Sequence, residues 1–279
     1  MKKLKIFLNI FLSFILMIGI ISSTFLIIIN NYSYKKNMLK KFEEINLYNS
    51  VYEEVRDGFE NYIYQSGLDL NIIDKICTRE KVKNDILSIV NSMYGDGETL
   101  IDTTEIRANL EKSIMEYVEN EGRKLSKEEE ENIKIFEDLI EGVYKNEIGL
   151  YQKGSDKIAR KLPQVLSFIK NLEIIVIGLT AFLLIVLIIL NSKILSVAGS
   201  YVGVSLFSSG ILLFFFRKII ISKIEIDSLV IFTKSLSNSV IIILKDVLSI
   251  IQTFGTWYVV FGIFNIVIMN ILLIQNDEK

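Results

Sequence analysis

The chain has 279 residues, 51% of them apolar and 23% charged, with a mean hydropathy of +0.41. Thirty-one basic residues against 33 acidic ones give no basic excess for nucleic acid. The absence of His removes the usual general base and the commonest metal ligand, and a single Cys (Cys77) excludes an intramolecular disulfide framework or a Cys-cluster zinc site. So much charge beside so positive a mean hydropathy points to two kinds of sequence joined together, one made for lipid and one for water.

The first apolar stretch, Ile6–Ile29, follows Met1-Lys2-Lys3-Leu4-Lys5 and is long enough to cross a bilayer. The basic start resembles a signal peptide. The apolar run exceeds a signal core, however, and no Ala-x-Ala site follows, so a retained signal anchor is expected, with cleavage as the alternative.

Residues 31–172 carry 21 basic and 27 acidic side chains and read as an all-α domain. The first span predicts a helix continuing through Tyr32, Tyr34, Met38, Leu39 and Phe42. Ser50-Val51-Tyr52-Glu53 reads as a capping box opening a helix that stops near Gly67. Thr78 caps a helix through Val82, Ile86, Ile89, Val90 and Met93 that ends near Gly95. Asp102 or Thr103 opens another through Ile106, Leu110, Ile114 and Val118, ending near Gly122. Ser126-Lys127-Glu128-Glu129 is a second capping box, leading to Ile133, Phe136, Leu139, Ile140 and Val143. Apolar spacings of three and four mark these as amphipathic helices, and no alternating run suggests a strand. A last helix, Ser155 to Asn171, leads into the second span, and Pro163 is expected to kink or restart it.

Three more uncharged stretches follow, Ile174–Leu190, Ile194–Phe216 and Gly255–Ile274. The second span is short, and a buried core helix is its alternative. Gly199-x-x-x-Gly203 in the third span, and Gly255 and Gly262 one heptad apart in the fourth, let helix backbones approach closely; Asn265 offers an interhelical hydrogen bond. Such seams serve packing within the chain or self-association into a homo-oligomer. Trp257 and Tyr258 fit an interfacial aromatic belt. Between the third and fourth spans, Lys223, Asp227, Lys234, Asn238, Lys245 and Gln252 fall within an arc of about 60° on a helix. Two readings are open for this segment, 217–254: an amphipathic helix lying on the membrane surface, or a hairpin of extended spans turning at Ser235-Leu236-Ser237-Asn238-Ser239.

The basic N-terminus predicts a cytoplasmic start, which places residues 31–172 and 217–254 outside. The charge rule conflicts, because Arg217, Lys218, Lys223, Lys234 and Lys245 fall in the outer segment whereas the 191–193 turn holds only Lys193.

No catalytic, cofactor or metal constellation stands out. Gly95-Asp96-Gly97-Glu98 with Asp102 and Glu105 departs from an EF-hand loop, since position 5 from Asp96 is Leu100 and position 12 is Arg107. Cys77 follows Ile72, Ile73 and Ile76 and reads as core packing. The spans hold no ionisable residue, whereas proton relays and ion-coupled carriers normally place one there.

The segments Tyr48-Asn49-Ser50-Val51-Tyr52, Tyr64-Gln65-Ser66-Gly67-Leu68, Val82-Lys83-Asn84-Asp85-Ile86 and Ile101-Asp102-Thr103-Thr104-Glu105-Ile106 resemble uncharacterised four-span membrane proteins of low-GC Gram-positive bacteria. The resemblance implies one N-terminal span, a helical extracytoplasmic domain and three further spans, with no activity or functional residue attached. The order of spans also looks like that of FtsX- and MacB-type permeases, although the short predicted cytoplasmic segments offer little for a cytosolic ATPase to grip. The expectation is therefore a non-enzymatic integral membrane protein of the cell membrane. Its extracytoplasmic domain would bind, sense or scaffold a membrane or cell-envelope protein partner, and a channel or permease-like subunit is the alternative.

Overall fold

The computed structural model describes residues 2–95, 101–148, 152–223, 226 and 234–277, and among these there is no strand. The helices are α1 (Lys2–Ser33), α2 (Lys35–Glu44), α3 (Leu47–Ser66), α4 (Ile73–Ile76), α5 (Arg79–Met93), α6 (Thr104–Asn120), α7 (Lys127–Ile148), α8 (Gln152–Leu190), α9 (Leu195–Lys223) and α10 (Lys234–Asp277). Four of them, α1, α8, α9 and α10, contain stretches long and apolar enough to cross a membrane. That is the content of a multi-pass membrane protein.

The chain divides into two compact units. One comprises residues 1–34, 166–229 and 241–279, the other residues 35–165 and 230–240. The first is termed the apolar unit and the second the polar unit.

In the polar unit, α3 is the helix around which the core forms. It buries Leu47, Val51, Val55, Phe59 and Ile63, spaced by four residues along one face. Ile73 and Ile76 of α4, Val82 and Ile89 of α5, Ile106 and Leu110 of α6 and Ile140 and Tyr144 of α7 complete the cluster. Burying each such side chain stabilises the unit by about 1.5–3 kcal/mol. At Gly58 a Cβ would meet Val143 Cγ1 at 2.8 Å, so glycine sets how closely α3 and α7 approach.

Local signals decide most helix ends. Thr78 accepts the Lys81 N–H and opens α5, and Asp102 accepts the Thr104 N–H at the start of α6. Gly67, Gly95 and Gly122 all have positive φ just beyond helices. Ser126 and Glu129 form the reciprocal box: the Glu129 carboxylate accepts the Ser126 N–H at 2.8 Å and Ser126 Oγ accepts the Glu129 N–H at 3.3 Å. The box expected at Ser50 is absent. There α3 begins three residues earlier, after Asn46 at φ 55°, and the Ser50 hydroxyl donates to the Asn46 carbonyl instead. Leu47 explains the shift: it is 1% exposed, so the chain turns before it to put it in the core.

In the apolar unit the helices outrun the uncharged stretches. α1 ends at Ser33, and the helical path resumes as α2 only after Tyr34. α8 runs unbroken through Pro163, so no restart occurs there. Its apolar side chains point outward, with Ile174, Ile175, Phe182 and Ile189 at 60–65% exposure, which sets aside a buried core helix.

Segment 217–254 is not a separate helix, nor does it turn at Ser235–Ser239. Residues 217–223 finish α9, residues 234–254 begin α10, and Ser235, Ser237 and Ser239 lie inside α10. With 44 residues α10 is about 66 Å long, roughly twice the hydrocarbon thickness. It carries no charge from Val247 to Asn276.

The two capping sites separate in a stability measurement. Ser126→Ala is expected to cost about 1 kcal/mol. Ser50→Ala, which removes only a back-bond within the helix, should stay within about 0.5 kcal/mol. Chemical unfolding followed by circular dichroism compares them.

Candidate functional site

The small residues singled out in the third and fourth spans meet along one antiparallel contact. A Cβ on Gly203 would lie 3.1 Å from the Gly262 carbonyl oxygen and 3.1 Å from Ile266 N. One on Gly262 would lie 2.5 Å from Phe207 N, and one on Gly210 would lie 2.6 Å from the Gly255 carbonyl oxygen. Gly199 packs against Met269, where a Cβ would come within 2.6 Å of Cγ and Sδ. Only glycine admits backbones this close, and dispersion over that seam is what holds helices together in lipid. Asn265 sits half-buried on α10, and the interhelical amide pair forms elsewhere.

That pair joins Asn9 and Asn191, both nearly fully buried. Asn9 Nδ2 donates to Asn191 Oδ1 at 3.1 Å, and Asn191 Nδ2 donates back to Asn9 Oδ1 at 2.9 Å. It is the first rung of a series along α1. The hydroxyls of Ser13 and Ser205 are 2.7 Å apart, and Ser209 Oγ reaches the Met17 carbonyl at 3.2 Å. The constant offset of 192 residues makes α1 and α9 parallel neighbours. Thr24 donates to the Ile20 carbonyl and lies 2.9 Å from the Tyr258 hydroxyl, so Tyr258 turns inward rather than joining an interfacial belt. Near the end of α1, Asn30 bonds Glu173, and Tyr32 donates to Asp246 at 2.6 Å. α1 thus bonds to α9, to α10 and to both ends of the α8 span.

The six-residue polar stripe is divided. Lys234, Asn238, Lys245 and Gln252 are exposed on α10, beside buried Ile241, Leu248 and Ile251. Lys223 is the last residue of a different helix, α9. Asp227 lies outside the described residues. The pattern was amphipathic, but it spanned a chain reversal.

Within the polar unit, the buried carboxylate of Asp85 accepts the Tyr144 hydroxyl at 2.6 Å and the Lys81 ammonium at 2.8 Å. Burial first, then the bond to Asp85, raises the Tyr144 phenol well above the ordinary range. Burial also pushes the Cys77 thiol up to about 12, with Asp85 adding to the effect. A thiol held protonated is a packing group rather than a nucleophile. On α7, Glu141 bonds Lys145, Thr103 and Arg107, and Lys145 leads in holding its carboxyl down at about 2. Among the described residues no cluster of three His, Cys, Asp or Glu could hold a metal; Asp96 and Glu98 of the acidic turn lie outside them.

A concavity in this unit has a volume of about 330 Å³ and lies where the end of α3, the second half of α6 and the first half of α7 meet. Leu68, Ile114, Val118, Leu125, Ile133 and Phe136 form its apolar surface. Arg123 stands at its edge, bonded to Glu129 and, at 2.9 Å, to Glu121. The sequence revealed the apolar faces of α6 and α7. It did not reveal that these faces, together with the end of α3, leave a space between them. No family model, no curated protein and no solved structure matches the chain.

Two measurements test these arrangements. Asn9→Leu should weaken the apolar unit in mixed-micelle unfolding by about 1–2 kcal/mol. Adding Asn191→Leu should restore part of the loss, because no amide is then left orphaned. For Glu141, the folded carboxyl titrates at about 2, below its ordinary value of 4.5, so its contribution is complete above pH 4.5 and is lost as pH falls toward 2. Glu141→Gln should therefore flatten the decline of stability across that acid window.

Proposed function

We propose that this is a non-enzymatic, multi-pass protein of the cell membrane whose polar unit is extracytoplasmic and binds or scaffolds an envelope partner. The observation that carries the reading is the 330 Å³ apolar concavity in the charged, water-compatible unit. Pockets of this size, with an apolar lining and few polar groups, are the usual form of a binding site. The titrating groups described around it support binding over catalysis. Glu129 is held at about 2, chiefly by the Ser126 backbone N–H, and so stays ionised at neutral pH, whereas general acid–base chemistry wants a group poised near the working pH.

The orientation follows from the basic start of α1. We take α1 as retained rather than removed, because its buried Asn9, Ser13 and Thr24 are partnered by side chains from the other span helices and their flanks. Excising α1 would orphan those partners. A channel or permease-like subunit rests on the order of spans alone.

Lys112 is exposed on α6. In a Cys77→Ser background, Lys112→Cys should react with a membrane-impermeant thiol reagent in intact cells, and the mature protein's mass should include α1. Labelling only after lysis would reverse the topology. A photocrosslinking amino acid in place of Tyr117, at the concavity, should yield a discrete adduct with an envelope component. The same probe in place of Lys40 on α2 should not. Equal adducts from both positions would remove the concavity from the proposal.

A further inference from the structure

The composition of the concavity between α6 and α7 defines what it would hold. Its apolar surface is provided by buried Ile114 and Val118 together with half-buried Leu68, Leu125, Ile133 and Phe136. Two charged residues also line it, Arg123 and Glu129, and they are bonded to each other. Arg123 has a further carboxylate partner in Glu121 at 2.9 Å. An anionic ligand would have to displace those carboxylates from the guanidinium. A cationic one would have to displace Arg123 from Glu129, which also accepts the Ser126 N–H in the capping box at 2.8 Å. Either exchange breaks the local fold at the start of α7 in return for one ion pair.

The remaining polar lining is neutral. Ser66 Oγ already donates to the Ile63 carbonyl at 2.7 Å. Tyr117 is tied to Glu121, which raises its phenol pKa. Asn132, in the first turns of α7, is exposed at the rim and brings an amide donor and acceptor to it. A concavity of about 330 Å³ lies at the lower end of the size range of small-molecule sites.

We propose that this concavity binds a small, uncharged, predominantly apolar molecule of about bicyclic aromatic size, carrying one hydroxyl or carbonyl that Asn132 orients. The inference rests on the reading of the polar unit as a binding module and names the ligand class of that site. The apolar walls supply affinity by desolvation, and the self-neutralised Arg123–Glu129 pair excludes charged analogues because it is already complete.

The test uses the full chain in lipid nanodiscs with methyl-labelled Ile and Val, titrated with 1-naphthol. The Ile114, Val118 and Ile133 methyls should shift in a saturable way, whereas Ile28 and Ile251 in the apolar unit report any partitioning of the probe into lipid. The anion 1-naphthoate should bind at least tenfold more weakly. Val118→Trp fills the space and should weaken 1-naphthol binding at least tenfold. Leu125→Trp, on the segment between helices, is the second filling variant should the first fail to fold. Asn132→Leu should remove the preference for 1-naphthol over naphthalene.

Three results would overturn the proposal: no saturable shift at Ile114 and Ile133 up to the solubility of the probe, equal binding of 1-naphthoate, or unchanged binding in a folded filling variant. These outcomes are independent of the labelling and crosslinking experiments. Naphthol binding without an envelope adduct would sink the scaffold reading alone, and an adduct without naphthol binding would sink the ligand class alone.

Discussion

Helices in lipid gain nothing by burying leucine against leucine, because the surrounding acyl chains are equally apolar. The apolar unit is built around that constraint. It joins its helices by closeness and by hydrogen bonds, the two terms that survive when the hydrophobic effect is removed. The contact of α9 with α10 uses the first, through Gly203, Gly210, Gly255 and Gly262. The contact of α9 with α1 uses the second, through Ser205 and Ser209 against Ser13 and the Met17 carbonyl. The two sets occupy different faces of one helix, which is why a sequence so rich in Gly and Ser still forms an ordered helix in the membrane region. Its small side chains are what its neighbours require.

The polar unit meets the opposite solvent and uses the opposite currency. Its core is branched aliphatic and aromatic, arranged on α3, and the buried Lys81–Asp85 pair is closed by a phenol. Lys81, Asp85 and Tyr144 satisfy one another where α5 faces α7. Removing one member would leave a buried charge exposed to apolar surroundings, the expensive direction for such a network. The same logic explains Cys77. It sits beside this network at 1% exposure, and the burial that protects it also keeps it protonated.

What the sequence made legible were features with short-range causes. The uncharged stretches located the four span helices, and Thr78, Gly67, Gly95, Gly122 and Ser126 located helix ends, because a cap or a left-handed residue acts within four positions. The failures came where a distant contact overrode a local signal. Ser50 had the spacing of a cap, but Leu47 was needed in the core. Lys223 and Lys234 had the angular phase of one helix, but a chain reversal lies between their helices. Asn9 lies within the first uncharged stretch, whereas its partner Asn191 sits 182 positions away in the 191–193 turn, where no local pattern links the two. The cavity was the least legible feature, since it is lined from three separate segments, the end of α3, the second half of α6 and the first half of α7, which no local pattern brings together.

The strongest pKa shifts described in the polar unit all point away from neutrality. A catalytic site keeps at least one group suspended near neutrality, which costs stability and has to be held by the surrounding fold. Here the strongest shifts run the other way. Desolvation lifts Cys77 and Tyr144 far above neutral pH, while hydrogen bonds drive Glu129 and Glu141 to about 2. Each group is thereby fixed in one protonation state across the physiological range. Fixed charges paired with fixed partners make a rigid, self-satisfied wall, and an apolar surface framed by such a wall gains selectivity from what it refuses. A charged molecule finds every counter-charge occupied, while a neutral apolar one loses only water. The electrostatics that fix these protonation states are thus also the ground on which the proposed preference of the cavity rests.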